Sequence, residues 1–498
     1  MSRLICANHD QVLLLPPCVE DWVPPDHPAR FIRDFVQALS LPELGIPIPP
    51  PGPGQTPYDP VLLLGLWLYG YLRRVRTSRK IEEACRQDLG FIWLAGNHHP
   101  DHNTLARFFH DHRLAFKRLF KLLVKTAHQL QLVGLVVHAL DGTKIASACG
   151  TPGALHRDDL THKLATLDAR IEAMLAETAQ ADAQPAPSVA LPTALCDAQA
   201  RRIAIEQQLA QLDAHEVNHL QTTESEARMQ KCADGKTRFG YNCQAVRDER
   251  SGLIVAEAVT NAVCDTNLCV PMLDETTANL GTTAEVTAAD GGYVSGAEIA
   301  NAETHGYEVL MNMSGLAGNP HPGCYAKREF HYEADRDGYR CPHGAFLPFA
   351  HLKRKARKAG QEVYTVRVYQ GTACQTCPHR AACTTSKTGR RVERSEHDEA
   401  IERQLARQAS VECGLLLKMR SQIIEPFFSF VKDAGGFRRF TQRGLAGAGA
   451  QWSLICTTHN LNTLAGLWQA GRFSWAQFCT AIREAIPEVA VPVPQHAI

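Results

Sequence analysis

Three acidic residues stand where apolar segments leave little room for an acid. Asp141 follows the nearly continuous apolar run 132–140, and Asp290 closes the short run 284–289. Glu425 lies inside Ser421-Gln-Ile-Ile-Glu-Pro-Phe-Phe-Ser-Phe-Val-Lys432. An acid on the buried side of such a segment is costly unless it is paired or holds a cation. Carboxylates are hard oxygen ligands, and three converging on a sheet edge suit Mg²⁺ or Mn²⁺. Two such ions, about 3.5–4 Å apart, activate a water or hydroxyl and stabilise the leaving oxygen of a phosphoryl transfer. Each acid alone has a plainer reading. Asp141-Gly142 is a strong hairpin-turn signal, and taken alone the turn is the better reading. Glu425 alone reads equally well as a surface acid at the rim of a core helix. Lys432 follows Glu425 by seven residues, nearly two helical turns. Both then project from one face, about 10.5 Å apart along the axis.

Cysteine forms a second cluster. Cys374-Gln-Thr-Cys377 has the gap that lets two thiolates hold one zinc, and Cys341 and Cys383 could complete four ligands. Only one of the two pairs is regular, so reduced cysteines in a loop domain are the alternative. The 17 cysteines are odd in number and scattered, which points to a reducing cytoplasm rather than a disulfide framework. His98, His99, His102, His110 and His112 match no zinc spacing and read as structural.

The elements that must position these residues follow from pattern. With 498 residues, two to four domains or one core with large insertions are expected. The formal charge of zero excludes a chain that is basic all over, so a nucleic-acid surface would be a local patch. The basic run Arg73-Arg-Val-Arg-Thr-Ser-Arg-Lys80 could meet phosphates, and a second basic run, Lys353-Arg-Lys-Ala-Arg-Lys358, lies in the cysteine-bearing insertion. The first reads equally as a solvated helix junction. No apolar run is long enough for a membrane span, and the start of the chain lacks a signal-like core, so a cytoplasmic location is expected.

Residues 1–130 read as helical, with Pro60 starting a helix, Ser78 capping one through Leu89, and Asp101 opening a long one to about residue 130. A central strand at 132–148 is buried on both faces. Residues 151–220 read as an inserted helical hairpin, serving dimerisation or packing on its own chain, with an Ala/Pro-rich linker at 179–194. Strands at 239–246 and 253–259 precede a helix over 265–280 capped by Asp265 or Thr266. Strand, Asp290, glycines, helix 295–305 and strand 307–312 make an α/β unit, and such sheets place function at strand carboxyl ends. Residues 316–396 are a second, cysteine-bearing insertion. Residues 398–435 are helical with a kink or fresh start at Pro426. A further helix covers 451–464, and the tail past Pro487 reads as disordered.

The motifs together resemble a bacterial insertion-sequence transposase of the DDE type. The resemblance covers nearly the whole chain. It is carried by Tyr58-Asp-Pro60, Ser78-Arg79, Asp101-His-Asn-Thr104, Arg107-Phe108, Leu140-Asp-Gly-Thr143, Gly240-Tyr-Asn-Cys-Gln244, Ala289-Asp-Gly-Gly-Tyr293, Glu425-Pro-Phe-Phe with Lys432, Gly436-Phe-Arg-Arg-Phe440 and His459-Asn-Leu461. It implies an α/β fold with a ribonuclease H-like mixed-sheet core at 131–470, interrupted by the two insertions. It also implies an N-terminal helical DNA-binding or dimerisation domain at 1–130, followed at the other end by a C-terminal helix and tail at 471–498. Asp141, Asp290 and Glu425 are then the metal-binding and catalytic triad for Mg²⁺ or Mn²⁺. Lys432, Arg438 and Arg439 are candidate phosphate contacts, the two arginines having a solvated turn as alternative. The related pattern has tyrosine at Lys418 and arginine at Ser421. Arg420, one residue off, would point about 100° away on a regular helix, so it is not expected to serve.

The implied reaction frees a 3′-hydroxyl at the element's ends and joins it to target DNA. The implied partners are terminal-repeat and target DNA, with a homodimer or higher oligomer on it, near the nucleoid. A decayed DNA-binding relative and a metal-dependent nuclease of the same fold are the alternatives.

Overall fold

The computed structural model of the chain describes residues 18–50, 56–181, 193–232, 234–313, 323–356 and 363–489. Most of the linker at 179–194, part of the basic run at 353–358 and the tail beyond 489 lie outside the described residues.

Helices come first: α1 (Val19–Trp22), α2 (Pro28–Gln37), α3 (Pro60–Leu72), α4 (Ser78–Gln87), α5 (Leu89–Leu94), α6 (His102–Asp111) and α7 (Arg113–Gln129). Side chains that satisfy free N–H groups set their starts. Asp59 accepts from Val61 N at 2.8 Å, ahead of Pro60. Asp101 accepts from Asn103 N, Thr104 N and the Thr104 hydroxyl, which accounts for the Asp-His-Asn-Thr run. Two expectations are corrected here. Thr77, not Ser78, caps α4. The long helix expected from Asp101 breaks at His112, whose backbone leaves the helical region at ψ 24°.

The core sheet begins with β1 (Val137–Ala146), which runs straight through Asp141 and Gly142. The hairpin turn that Asp-Gly suggests does not form, because both residues stay in the ladder with β5, Asp141 opposite Ala245 and Gly142 opposite Gln244. After it come β2 (Ala154–His156), the helical hairpin α8 (Arg157–Ala181) and α9 (Thr193–Ala214), and β3 (His219–Gln221). Ile171, Leu195 and Ala198 close the hairpin on itself, with an Arg202–Asp168 ion pair at 2.7 Å. The sheet continues with β4 (Arg228–Lys231), β5 (Thr237–Asp248), β6 (Ile254–Thr260), helix α10 (Cys269–Leu280), β7 (Val286–Ala289), helix α11 (Gly296–Thr304) and β8 (Val309–Met311). Strand β5 lies antiparallel between β1 and β6, and β7 and β8 run parallel to β1. The order β6-β5-β1-β7-β8, with β4 beside β5, is the mixed α/β sheet expected of a ribonuclease H-like core.

A second sheet follows: β9 (His331–Glu333), β10 (Gly338–Arg340), β11 (Phe346–Ala356), β12 (Val363–Gln370) and β13 (Arg391–Arg394), in the order β13-β12-β11-β10-β9. Its own small core is Phe330, Tyr339, Leu347, Tyr369 and Val392. The chain then returns to the first sheet with α12 (Asp398–Gln408) and α13 (Val411–Ser429), and ends with α14 (Gly444–Gln469) and α15 (Trp475–Val489). Pro426 sits inside α13 without ending it, and α15 runs two residues past Pro487, to Val489.

Helix α14 is buried along most of its length and packs on α3, α7 and β6. Asn460, of the His-Asn-Leu run, accepts from Ile254 N and donates to Ile254 O, both at 2.8 Å. A side-chain amide thus completes the hydrogen bonding of β6, which otherwise lacks a partner there. One hydrophobic core runs from Ala29 on α2 to Val489 on α15.

Candidate active site

Strand register brings the two aspartates together. Leu140 pairs with Ala289 in the parallel β1–β7 ladder, so Asp141 and Asp290 are the next residues on adjacent strands. Strand β7 ends there, and Asp290 leads into the short 3₁₀ turn Gly291–Tyr293. Arg420 of α13 spans the pair, with one guanidinium nitrogen 2.9 Å from Asp141 and the other 3.9 Å from Asp290. Arg420 is thus an ion-pair partner of both aspartates, a role the sequence reading did not give it. Helix α13 buries Ile423, Ile424 and Phe427 against the sheet, and Arg420, one turn before Ile424, shares that inward face. Arg247 of β5 fastens the same face by donating to the Ile423 carbonyl.

Glu425 is exposed on α13. It lies about 140° around the helix from Arg420, while its apolar neighbours take the inward face. The expectation of an acid on the buried side of this segment is thus corrected. Among the described residues no three His, Cys, Asp or Glu side chains are arranged to hold a metal ion.

Burial pushes the Asp141 carboxyl above the usual carboxylate range; Arg420 opposes this and Asp290 adds to it. Lys432 lies on a π-helical turn, Phe430–Ala434, that follows α13. Such turns often occur at functional sites. Burial holds its ammonium below the usual lysine range, opposed by the fields of Cys243 and Asp141. The segment after it adds a strand-like bridge to the end of β1, where Ala146 pairs with Arg439. Arg439 donates to the carbonyls of Ser147 and Cys149 at 3.2 and 3.1 Å, and Arg438 is exposed beside Asp433 at 2.8 Å.

Sequence reasoning missed a third acid of this site. Asp265, expected to cap a helix, lies before α10, which starts at Cys269. One oxygen of Asp265 accepts from Lys144 Nζ at 2.8 Å, Asn242 Nδ2 at 2.7 Å and Gln244 Nε2 at 2.9 Å. Its other oxygen faces Gly292, where a Cβ would lie 3.4 Å away. A Cβ on Gly142 would collide with the Gln244 amide. Tyr293 closes the network by donating to Gln244 Oε1. The glycines beside both aspartates, and the Asn-Cys-Gln of β5, therefore serve one packed polar layer. The signal was available in the Gly-Tyr-Asn-Cys-Gln run, whose two amides on one face of a buried strand require an acceptor.

The four cysteines of the second sheet, Cys341, Cys374, Cys377 and Cys383, line one small cavity with His343 and His379. The two imidazoles stack at 3.7 Å, and Cys341 Sγ accepts from Ala345 N at 3.3 Å. The cavity carries zinc-binding atom types, without three of them set around one point.

Of the two early basic-run readings, Arg76 follows the junction. It donates to the Gly435 carbonyl at 2.6 Å and lies over the Phe437 ring.

Two family models match the chain. Residues 17–111 match a transposase domain (DUF772), and residues 340–465 match a transposase DDE domain. The second match contains Arg420, Glu425, Lys432, Arg438 and Arg439, and ends before it would reach Asp141 or Asp290 on the other side. No curated protein and no solved structure matches. Among the described residues no helix is long and apolar enough to cross a membrane.

Proposed function

We propose, from the premise that this chain is an insertion-sequence DDE transposase, that it cleaves DNA at the ends of its own element and joins the freed 3′-hydroxyls to target DNA. The observation that carries the reading is the side-by-side placement of Asp141 and Asp290 at a strand end, spanned by Arg420.

The donor set suits a hard divalent cation. Two carboxylates stand together, and burial and mutual repulsion disfavour charge on Asp141 unless a positive group is present. Asp141 and Asp290 would hold Mg²⁺ or Mn²⁺; Glu425, the third acid that the resemblance implies, stands exposed on α13 and is not gathered with them. When bound, such ions supply Lewis acidity to the scissile phosphate and to the attacking oxygen.

The chain's own residues do the rest. Asp141 and Asp290 accept hydrogen bonds from the attacking water or 3′-hydroxyl and fix its approach in line with the leaving oxygen. Lys432, half-buried beside them, lies against the phosphate that enters; its desolvation makes an anion there favourable. Arg438 and Arg439, on the segment joined to β1, contact flanking phosphates and hold the strand in register. Hydrolysis breaks the P–O3′ bond and leaves a 3′-hydroxyl. That hydroxyl then attacks a target phosphodiester, one P–O bond forming as another breaks, with no covalent protein intermediate.

The test is Mg²⁺-dependent cleavage of a DNA fragment bearing the element's flanking ends. Wild type is expected to cut, while Asp141→Ala and Asp290→Asn bind the same fragment and do not. Cleavage at the wild-type rate by Asp290→Asn would remove the assignment. One observation favours a second reading, a chain that binds DNA without cutting: Glu425 is exposed and not gathered with the aspartates. End-specific binding by wild type with no cleavage in Mg²⁺ or Mn²⁺ would select it.

A further inference from the structure

The basic run after Cys341 plays no part in that chemistry, yet its shape is specific. Strand β10 covers β11 only at Phe346, Leu347 and Pro348, and β13 covers β12 only from Arg367 to Gln370. Beyond those positions Lys353–Ala356 pairs with Val363–Val366 alone, so β11 and β12 leave the sheet as a two-stranded ribbon. Four residues at about 3.3 Å each make its free part roughly 13 Å long. A register shift between Phe349 and His351 marks where the ribbon departs, as a bulge that increases twist does.

Both faces of this ribbon are cationic. Directly opposed residues share a face. Leu352, Arg354, Thr365 and Arg367 therefore form one face, and Lys353, Lys355, Tyr364 and Val366 the other. Glu393 of β13 accepts from Lys353 at 3.2 Å and from Lys355, and Arg354 is exposed. From 346 to 370 the sequence has six Lys or Arg and one acid, in a chain of zero formal charge. Lysines on a free strand edge also discourage pairing with other chains. That explanation does not account for Leu352 at 60% exposure and Tyr364 at 38%, set among the cations.

We propose that this ribbon is a DNA-binding arm that seats in the major groove of duplex DNA. The proposal rests on DNA being the partner, as read above, and adds where the chain grips it. Duplex DNA is a dense polyanion, and displaced counterions favour each Lys or Arg contact. The major groove is about 12 Å wide and admits a two-stranded ribbon. With the face of Leu352 and Arg354 turned to the groove floor, Leu352 presents apolar surface to the base edges, thymine methyl groups included, while Arg354 and, from the opposite face, Lys353 reach the phosphates at the groove walls.

The full-length protein is titrated onto a mixed-sequence DNA duplex over a range of salt concentrations, beside an RNA duplex of the same sequence. Lys353→Glu/Arg354→Glu keeps charged, edge-protecting residues while reversing their sign. It is expected to bind DNA at least tenfold more weakly at low salt, with log K against log salt about 2 units shallower, as two lost phosphate contacts require. Lys353→Gln/Arg354→Gln is expected to flatten the slope similarly, and it decides the matter if the reversed variant does not fold. DNA binding by either folded double variant equal to wild type overturns the arm and leaves the transposase reading intact. Equal wild-type affinity for the RNA duplex overturns the groove seat, since the RNA major groove is too deep and narrow for a ribbon. Failure of wild type to bind the DNA duplex at low salt overturns the arm and the transposase reading together.

Discussion

Arg420 is the one cation in ion-pair contact with both aspartates among the described residues, so its removal should be felt through protonation. Burial already raises the Asp141 pKa and Arg420 opposes that rise. Without the guanidinium, Asp141 should hold its proton to higher pH. Arg420→Ala is therefore expected to shift the acidic limb of the cleavage profile upward, and Arg420→Lys to shift it less. An unmoved limb with a uniformly lower rate would mean that Arg420 acts only by shaping the site. Asp265 offers a second test. Asp265→Ala leaves Lys144, Asn242 and Gln244 without their shared acceptor. Unsatisfied buried donors cost about 1–3 kcal/mol, more for a charged one. The variant should lose at least tenfold in cleavage and melt lower, while Asp265→Asn, which keeps the shape, should recover most of the stability. Wild-type cleavage by Asp265→Ala would show that the polar layer does not position the aspartates. Asp141 and Asp290 were legible because each is an isolated acid at the end of an apolar run. Arg420 was not, because a one-residue offset was measured against a family spacing rather than against the face that Ile423, Ile424 and Phe427 bury.

At the scale of elements, the turn that carries Lys432 is held from outside the sheet that carries Asp141. Arg76 reaches from the α3–α4 junction to the Gly435 carbonyl at 2.6 Å and over the Phe437 ring. A Cβ on Gly435 would lie 2.6 Å from the Val431 carbonyl, so this turn is tight as well as tethered. Arg76→Ala strands a partly buried carbonyl and removes a cation–π contact, at about 1–3 kcal/mol together. It should lower DNA affinity and cleavage while leaving the Mg²⁺ concentration for half-maximal rate unchanged, because the aspartates are held elsewhere. A changed Mg²⁺ requirement would place Arg76 in the control of the aspartates instead. Most elements were legible from apolar periodicity and caps: the strands around Asp141 and Asp290, the inserted hairpin and the helix before Glu425 all form. Where the reading failed, long-range pairing overrode a local signal. Asp141-Gly142 remains in a strand because β5 pairs with both residues, just past the point where β7 leaves β1 at Leu140. Asp265 leaves its helix because three donors from β1 and β5 claim it.

Across the whole molecule, the N-terminal helices, the sheet and the last two helices share one core, and a carboxyl lies buried within it. Glu257 of β6 accepts from Ser453 of α14 at 2.7 Å. Burial pushes its pKa up to about 7, with Lys117 the largest opposing influence. A folded-state value above the unfolded one means that the fold binds the proton more tightly than the unfolded chain does. Stability is then present in full below the unfolded value near 4.5 and is lost as pH rises towards 7. Between pH 5 and pH 8 the loss from this group is roughly 2–3 kcal/mol. Glu257→Gln keeps a hydrogen-bonding side chain and cannot ionise, so it escapes that loss. Urea unfolding at pH 5 and pH 8 should show the variant gaining on wild type by about that amount at the higher pH, whatever fixed difference the amide introduces. A difference independent of pH would mean that Glu257 does not change its protonation between those conditions. The strand that carries Glu257 pairs with β5, whose other edge pairs with Asp141's strand. Alkaline loosening at this junction should therefore also lower cleavage in wild type, and less so in Glu257→Gln.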